Sequence, residues 1–324
     1  MDVKISAGVW IYGMGSDRYV SQGYKKYIDF YERVEQISKI EGISGIEVTY
    51  PGDVNEENAN RVRELLLKHK LTISSMGVEL VCDKEWKNGS FSSKDEKDRI
   101  KAIELTKKAM DLAQIMNIPV VSLWLGQDGF DYVFESDYPN AWRNLVESLR
   151  DCADHNPKVK LGLEYKVSEP KLNCFVNSGG KALALCQAVG RDNLGVTLDV
   201  GHALNALENP AEIASILMYE KRLFHLHMND NYGRCDDDMP SGSVHVPQFI
   251  ELMYWLDKTG YKGWLSLDMY PYRDDPSEAC KASVKFLDGV SRFVSEKINN
   301  SDLTCRNGRP ISYALKELFE KMFD

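Results

Sequence analysis

Two histidines and three carboxylates lie close together at the end of one apolar segment. His225 and His227 alternate with apolar residues, and the polar loop that follows carries Asp236, Asp237 and Asp238. In a β-strand, residues two positions apart share a face, so both imidazoles point the same way. Imidazole and carboxylate groups bind divalent cations such as zinc, manganese and magnesium. The pattern indicates a metal site, although a core histidine pair before a solvated acidic turn would have the same sequence.

Three other apolar segments also end in a carboxylate. Glu164 follows Leu161-Gly162-Leu163, Asp199 follows a segment that ends in Leu198, and Asp268 follows Leu265-Ser266-Leu267. A carboxylate in such a place is costly to bury unless it is paired or bound to a metal. Together with His227, these residues form a predicted site of three oxygen ligands and one nitrogen ligand.

A second set of ligands accompanies the first. His202 lies three residues beyond Asp199, and Asp236 and Asp238 share one side of the acidic loop, so Asp237 should point away. We predict a second metal site at His202, Asp236 and Asp238. Asp199 would bridge it to the first site, and the protein would bind one or two divalent ions (Mn, Mg, Co or Zn).

The elements that must position these residues alternate along the chain between strands and helices. The predicted strands are 3–10, 45–50, 71–78, 119–126, 160–166, 194–200, 223–230 and 264–270. The predicted helices are 24–41, 55–70, a helix capped by Ser93 that runs to about 117, 140–155, 180–189, 210–221, 247–259 and 277–297. Eight strand–helix units are typical of an α/β protein with a (β/α)8 TIM-barrel fold. A doubly wound open sheet is the alternative, but no Gly-rich phosphate-binding loop accompanies it.

The barrel would bring the strand-end residues to one point. Functional groups of a TIM barrel lie at the C-terminal ends of its strands. The four predicted ligands of the first site end strands five to eight, so we expect their side chains to converge above the barrel axis. We predict one barrel domain over 1–298 and a helical tail over 299–324, with a helix at 312–323.

Composition limits the cellular role. The 324 residues are 43% hydrophobic and 27% charged, as in ordinary globular proteins, and the net charge is −9. The sequence has no apolar run long enough to span a membrane, no signal-peptide pattern at its start, and seven scattered cysteines without a CxxC pair. We therefore expect a cytoplasmic protein. Acidic charge without a basic stripe argues against a nucleic-acid or membrane partner.

The motifs around these residues resemble those of the sugar isomerases in the xylose isomerase-like TIM-barrel superfamily. The segment 164–170 (EYKVSEP) resembles their E-x-K-x-x-E-P motif, and 199–202 (DVGH) resembles the D/E-x-G-H motif that bridges two metals. The segments 227–230 (HMND) and 236–238 (DDD) are most similar to the L-rhamnose isomerase branch, because xylose enzymes carry Asp where His227 stands. The likeness to the sugar pocket is weaker, since Tyr50-Pro51-Gly52-Asp53 stands where xylose enzymes place a ring-opening His.

The resemblance implies a metal-dependent aldose–ketose isomerase that acts on an open-chain sugar by a metal-assisted 1,2-hydride shift. Lys166 would contact the substrate carbonyl oxygen, and His202 and Asp236 would be catalytic with it. Trp124 is similar to the tryptophan that walls the sugar pocket in xylose enzymes, and we expect Glu169 and Trp10 to contact the substrate as well. The isomerases that the chain resembles are dimers or tetramers, so a homo-oligomer is an option here.

Other functions fit parts of the pattern. A ketose 3-epimerase or hydroxypyruvate-type isomerase of the same fold would use one metal and two glutamates as acid and base, whereas this chain has the shorter Asp268 on its last strand. A metal-dependent endonuclease would need more than six histidines and a basic groove. A sugar-binding barrel without activity is the non-enzymatic alternative.

Overall fold

Eight parallel strands form a closed barrel in the computed structural model, which describes residues 3–81, 83–169, 171–298, 303, 308, 310 and 312–323. Each strand pairs with its neighbours in the sequence, and the first pairs with the last, with Ile5 opposite Leu265. The strands are β1 (Lys4–Gly8), β2 (Ile43–Tyr50), β3 (Thr72–Val78), β4 (Val120–Trp124), β5 (Lys160–Glu164), β6 (Leu194–Asp199), β7 (Leu223–Met228) and β8 (Trp264–Leu267). The predicted TIM barrel is confirmed.

Helices connect the strands and cover the outside of the barrel. They are α1 (Phe30–Ile37), α2 (Ala59–His69), α3 (Glu96–Met116), α4 (Tyr138–His155), α5 (Gly179–Val189), α6 (Val200–Asn205), α7 (Pro210–Tyr219), α8 (Val246–Thr259), α9 (Pro276–Phe293) and α10 (Ser312–Phe323). Three short antiparallel strands, Gly129–Phe130, Ser168–Glu169 and Leu172–Cys174, join the loops after β4 and β5. Within the described ranges, none of the helices has the length and apolar character needed to cross a membrane.

Three predicted helix starts are wrong. The helix predicted from residue 55 begins at Ala59. The helix predicted from residue 24 begins at Phe30, because the Asp29 carboxylate accepts a hydrogen bond from the Glu32 backbone and caps the helix there. The predicted cap Ser93 lies before α3, whose cap is Asp95. The Ser93 hydroxyl donates instead to Asp98. The short helix α6 has no counterpart in the prediction.

Strand register determines which side chains meet at the barrel mouth. His227 on β7 lies opposite Asp199 on β6 and opposite Ser266 on β8. Glu164 lies opposite Trp124 on β4. The side chains at the ends of β4 to β8 are thus brought to the C-terminal mouth of the barrel, as the sequence predicts.

Candidate metal centre

Four ligand-type side chains meet at the mouth of the barrel. Glu164, Asp199, His227 and Asp268 each offer one atom, and these atoms lie within 4.8 Å of one another. The Nδ1 atom of His227 is 3.1 Å from Asp268 Oδ2 and 3.4 Å from Glu164 Oε1. The same nitrogen is 3.7 Å from Asp199 Oδ2. The structure therefore brings together the four residues predicted for the first site.

These four residues fit a divalent cation. Nδ1 of His227 is buried and has no hydrogen-bond partner among the described residues. A buried polar atom is normally satisfied, and clustered buried carboxylates repel one another. A cation at this point would take the nitrogen lone pair and offset the carboxylate charge. Three carboxylates and one imidazole suit manganese, zinc, cobalt or magnesium.

The ligands are held from behind by other groups. Trp10 donates its indole N–H to Asp268 Oδ1 at 2.6 Å, which leaves Oδ2 facing His227. Asn229 donates to Asp199 Oδ2 at 2.9 Å. Trp10, the predicted substrate contact, thus acts in this structure on the candidate ligand Asp268, while its ring stays partly exposed. Such partners orient ligands and reduce the ordering that binding requires.

A second group shares Asp199 with the first. Asp199, His202 and Asp236 also offer ligand atoms within 4.8 Å of one another. His202 Nε2 is 3.1 Å from Asp236 Oδ2, and its Nδ1 is 3.3 Å from Glu164 Oε1. His202 Nδ1 and Asp236 Oδ1 are both buried and have no hydrogen-bond partner in the described part of the chain. The Lys166 ammonium lies 2.9 Å from Asp236 Oδ2.

The three-residue group does not include Asp238, which was predicted as a ligand of the second site. The Asp238 carboxyl nevertheless lies near both ligand sets, and burial together with the charges of Asp236, Asp268 and Asp199 raises its pKa well above the usual range. Its backbone has a positive φ of 46°, and its Oδ1 is 3.5 Å from the amide nitrogen of Asn229. This backbone geometry breaks the alternation that would place Asp236 and Asp238 side by side, because the loop is not a strand. Asp237 accepts from the Tyr232 backbone N–H instead, away from the ligand group as expected.

The electrostatics of the two groups follow from burial and from the opposing charges. Burial raises the pKa of Asp199 to about 7. Burial would lower the pKa of His202, but Asp199 and Asp236 outweigh it and raise that pKa to about 9. Asp236 is buried too, yet His202 and Lys166 lower its pKa below the usual range. In the metal-free protein, Asp199 and His202 therefore bind protons at neutral pH, and a cation would displace these protons.

The chain matches one family model over most of its length. The model of the xylose isomerase-like TIM barrel matches residues 34–290. This protein belongs to that family. The curated xylose isomerase of Thermus thermophilus is 24% identical over 234 residues, which is 70% of this chain. The match spans 60% of the length of that enzyme.

Solved structures have the same fold. A D-tagatose 3-epimerase-like protein matches with a TM-score of 0.70 and 22% identity, over 91% of this chain and 100% of that one. An L-ribulose 3-epimerase matches with a TM-score of 0.71 and 16% identity, over 95% of this chain and 100% of that one. At such identities the likeness concerns the fold.

Two of the residues predicted to face the substrate, Lys166 and Trp124, lie beside the second ligand group. The Lys166 ammonium is 4.9 Å from the centroid of the Trp124 ring, and Trp124 Nε1 is buried without a hydrogen-bond partner among the described residues. Trp124 therefore offers an apolar face and an N–H donor near the lysine. The side chain of Glu169, also predicted to contact substrate, lies outside the described part of the structure.

Glu47 is a residue beside the site that the sequence pattern did not reveal. This residue of β2 is fully buried, its Oε1 lies 3.1 Å from His227 Nε2, and its Oε2 lies 3.2 Å from His225 Nε2. Burial would raise the pKa of Glu47, but the two histidines outweigh it and hold the pKa well below the usual range. A lone carboxylate between Ile46 and Val48 in a predicted strand was the available signal. His225 bonds to this carboxylate and does not belong to the four-ligand group.

Proposed function

We propose that the protein is a metal-dependent aldose–ketose isomerase that acts on an open-chain sugar by a 1,2-hydride shift. The observation that carries the proposal is the second ligand group beside the first, with the ammonium of Lys166 2.9 Å from Asp236. A single-metal acid–base exchange needs neither a second group nor this lysine. A shift of hydrogen between C1 and C2 uses both, because charge develops on two adjacent oxygens.

The residues divide into two ligand sets that share Asp199. Glu164, Asp199, His227 and Asp268 would hold one ion, and Asp199, His202 and Asp236 would hold another. A bound divalent cation supplies Lewis-acid polarisation of the sugar oxygens. Substrate oxygens have room to approach, since Asp236 and Asp268 are the less buried members of the two sets.

Lys166, Asp236 and Trp124 would act on the sugar itself. Lys166 is placed to donate to the carbonyl oxygen at C1 and to stabilise the negative charge that develops there. Asp236 Oδ1, which has no hydrogen-bond partner among the described residues, would accept a hydrogen bond from the C2 hydroxyl group and hold it in place while that hydroxyl loses its proton to a water molecule in the site. The hydrogen on C2 then moves with its electron pair to C1, and the proton passes to the oxygen at C1. Trp124 covers this region and keeps water from the reacting carbons.

An assay with isotopic labelling tests the proposal. The manganese-loaded protein is incubated with a panel of pentoses and 6-deoxyhexoses in D2O, and products are identified by NMR. We expect C1–C2 isomerisation in which the migrating hydrogen is kept and not exchanged with solvent. Solvent deuterium at C1 would contradict the hydride shift, and no turnover on any sugar would contradict the isomerase.

A ketose 3-epimerase is the second candidate. Glu164 and Asp268 both face Nδ1 of His227, so two carboxylates are present that could exchange a proton at C3. The solved structures with this fold include epimerases by name. One observation disfavours the role: Trp10 holds Asp268 Oδ1, which restrains a carboxylate that would have to move as acid or base. Inversion at C3 with solvent deuterium, in the same assay, would identify the epimerase.

A further inference from the structure

A carboxylate lies on the far side of the His227 ring from the four-ligand group. Glu47 bonds Nε2 of His227 at 3.1 Å through Oε1. Its Oε2 accepts from the Ser266 hydroxyl and lies 3.2 Å from Nε2 of His225. The two imidazoles meet edge to face, with ring centroids 5.4 Å apart. Glu47 therefore ties β2 to β7 and β8 inside the barrel.

Barrel stability alone does not explain this arrangement. TIM-barrel interiors are usually filled by branched apolar side chains. Burying ionisable groups costs several kcal/mol of desolvation, and replacing a buried ionic set by apolar residues is often neutral or stabilising. The contact of one buried carboxylate with two imidazoles is better explained by its effect on the protonation and orientation of the His227 ring.

The hydrogen bond determines which nitrogen of His227 is available. An ionised carboxylate can only accept, so the His227 nitrogen that faces Glu47 carries the proton. In a neutral imidazole the other nitrogen then keeps its lone pair. That nitrogen is Nδ1, the buried atom that faces Asp268 and Glu164.

We propose that Glu47 is a positioning residue that fixes the tautomer and the ring orientation of His227, so that Nδ1 is presented as a metal ligand. His225 and Ser266 hold the other carboxylate oxygen and keep Glu47 from rotating. The inference rests on the metal site of the proposed function, but it assigns a role to a residue outside that site.

Zinc affinity, measured by calorimetry on wild type and on Glu47→Gln, tests the role without any assay of activity. The glutamine keeps the size of the side chain but cannot accept from both imidazoles, because one end is an amino group. We expect zinc to bind at least about tenfold more weakly to the variant, as loss of such partners usually produces. Equal affinity would overturn the positioning role and leave the proposed function standing.

Asp128→Asn is the matched control. Asp128 is another fully buried carboxylate; it accepts hydrogen bonds from Ser90 and Ser92 and belongs to none of the ligand groups. The variant should lose folding stability while its zinc affinity stays within about twofold of wild type. An equal loss of zinc affinity in this control would show a general effect of burial and overturn the specific role.

NMR of zinc-loaded, 15N-histidine-labelled wild type supplies a test that does not depend on a variant that folds. His227→Asn assigns the resonances. We expect the proton of His227 on Nε2 and zinc on Nδ1; a proton on Nδ1 would overturn the proposal. Absence of zinc binding by wild type would overturn both this role and the proposed metal site.

Discussion

The two carboxylate oxygens of Asp268 have different partners. One oxygen accepts from Trp10 and the other faces His227, so a single oxygen is left to bind a cation. We predict that Asp268→Asn abolishes turnover and weakens manganese binding by at least about tenfold, because a neutral amide replaces a charged ligand. Glu164→Gln should behave in the same way. Asp237→Asn, next to the site but bonded to the Tyr232 backbone, is the control that should keep wild-type rates. Full activity in Asp268→Asn would remove the metal hypothesis.

In the proposed mechanism, Lys166 supplies positive charge to the substrate carbonyl oxygen. Replacement by alanine should lower kcat by roughly two to three decades, the usual cost of losing a donor that stabilises developing charge. KM should change much less, since the interaction strengthens in the transition state. Steady-state kinetics on the best sugar of the panel measure both. Wild-type kcat in Lys166→Ala would mean that the lysine has no chemical role.

Metal binding should depend on pH in one direction. His202, with a pKa raised to about 9, and Asp199, with a pKa raised to about 7, are protonated below these values in the metal-free protein. A cation must displace these protons, so its affinity should rise as the pH increases from about 7 to about 9. Manganese titrations across this range check the sign. An affinity that falls or stays constant would contradict the assigned ligands.

At the scale of elements, one residue connects a strand to a helix. Asp199 ends β6, and its Oδ1 accepts from the backbone N–H of His202, which makes it the cap of α6. The capped turn fixes where His202 lies relative to the end of the strand. The capped helix therefore holds His202 next to Asp199, and both residues belong to the second ligand group.

Gly201 allows this connection to lie close to the next strand. Its backbone N–H donates to Asn229 Oδ1, and a Cβ here would be 2.6 Å from that oxygen. We predict that Gly201→Ala displaces Asn229, releases Asp199 and weakens manganese binding by about tenfold. Calorimetry measures the change. The control is Gly289→Ala in α9, where a Cβ would meet no atom within 4 Å. That variant should gain about 0.5–1 kcal/mol of stability and keep its metal affinity.

At the scale of the whole molecule, the candidate centre joins four consecutive barrel strands. A cation bound there stabilises only the folded state, since the ligands are far apart in the unfolded chain. Manganese at 100 times its Kd should raise the free energy of unfolding by about 2.7 kcal/mol, and EDTA should reverse the gain. Denaturant titrations with and without metal test this. At the same manganese concentration the gain should fall by about 1.4 kcal/mol or more in Asp268→Asn, as a tenfold weaker affinity requires. An equal gain in that variant would place the cation elsewhere.

The sequence by itself determined the barrel and most of the candidate centre. Alternating strands and helices are local patterns, and so is a carboxylate such as Glu164 or Asp199 at the end of an apolar run. The C-terminal ends of parallel strands meet at one mouth, so strand order alone predicts that these residues converge. The helix starts were less certain because neighbouring polar residues compete as caps, and Asp95 took the place assigned to Ser93.

Only the tertiary structure decided the partners across the barrel and the path of the acidic loop. Glu47 meets His225, 178 positions away, through the closure of the barrel, and no local pattern encodes that pairing. Asp236 and Asp238 do not alternate as they would in a strand, because the loop is not extended and Asp238 has a positive φ. The residue types at the end of each strand can be read from the local sequence. Contacts between side chains on distant strands depend on how the whole sheet closes.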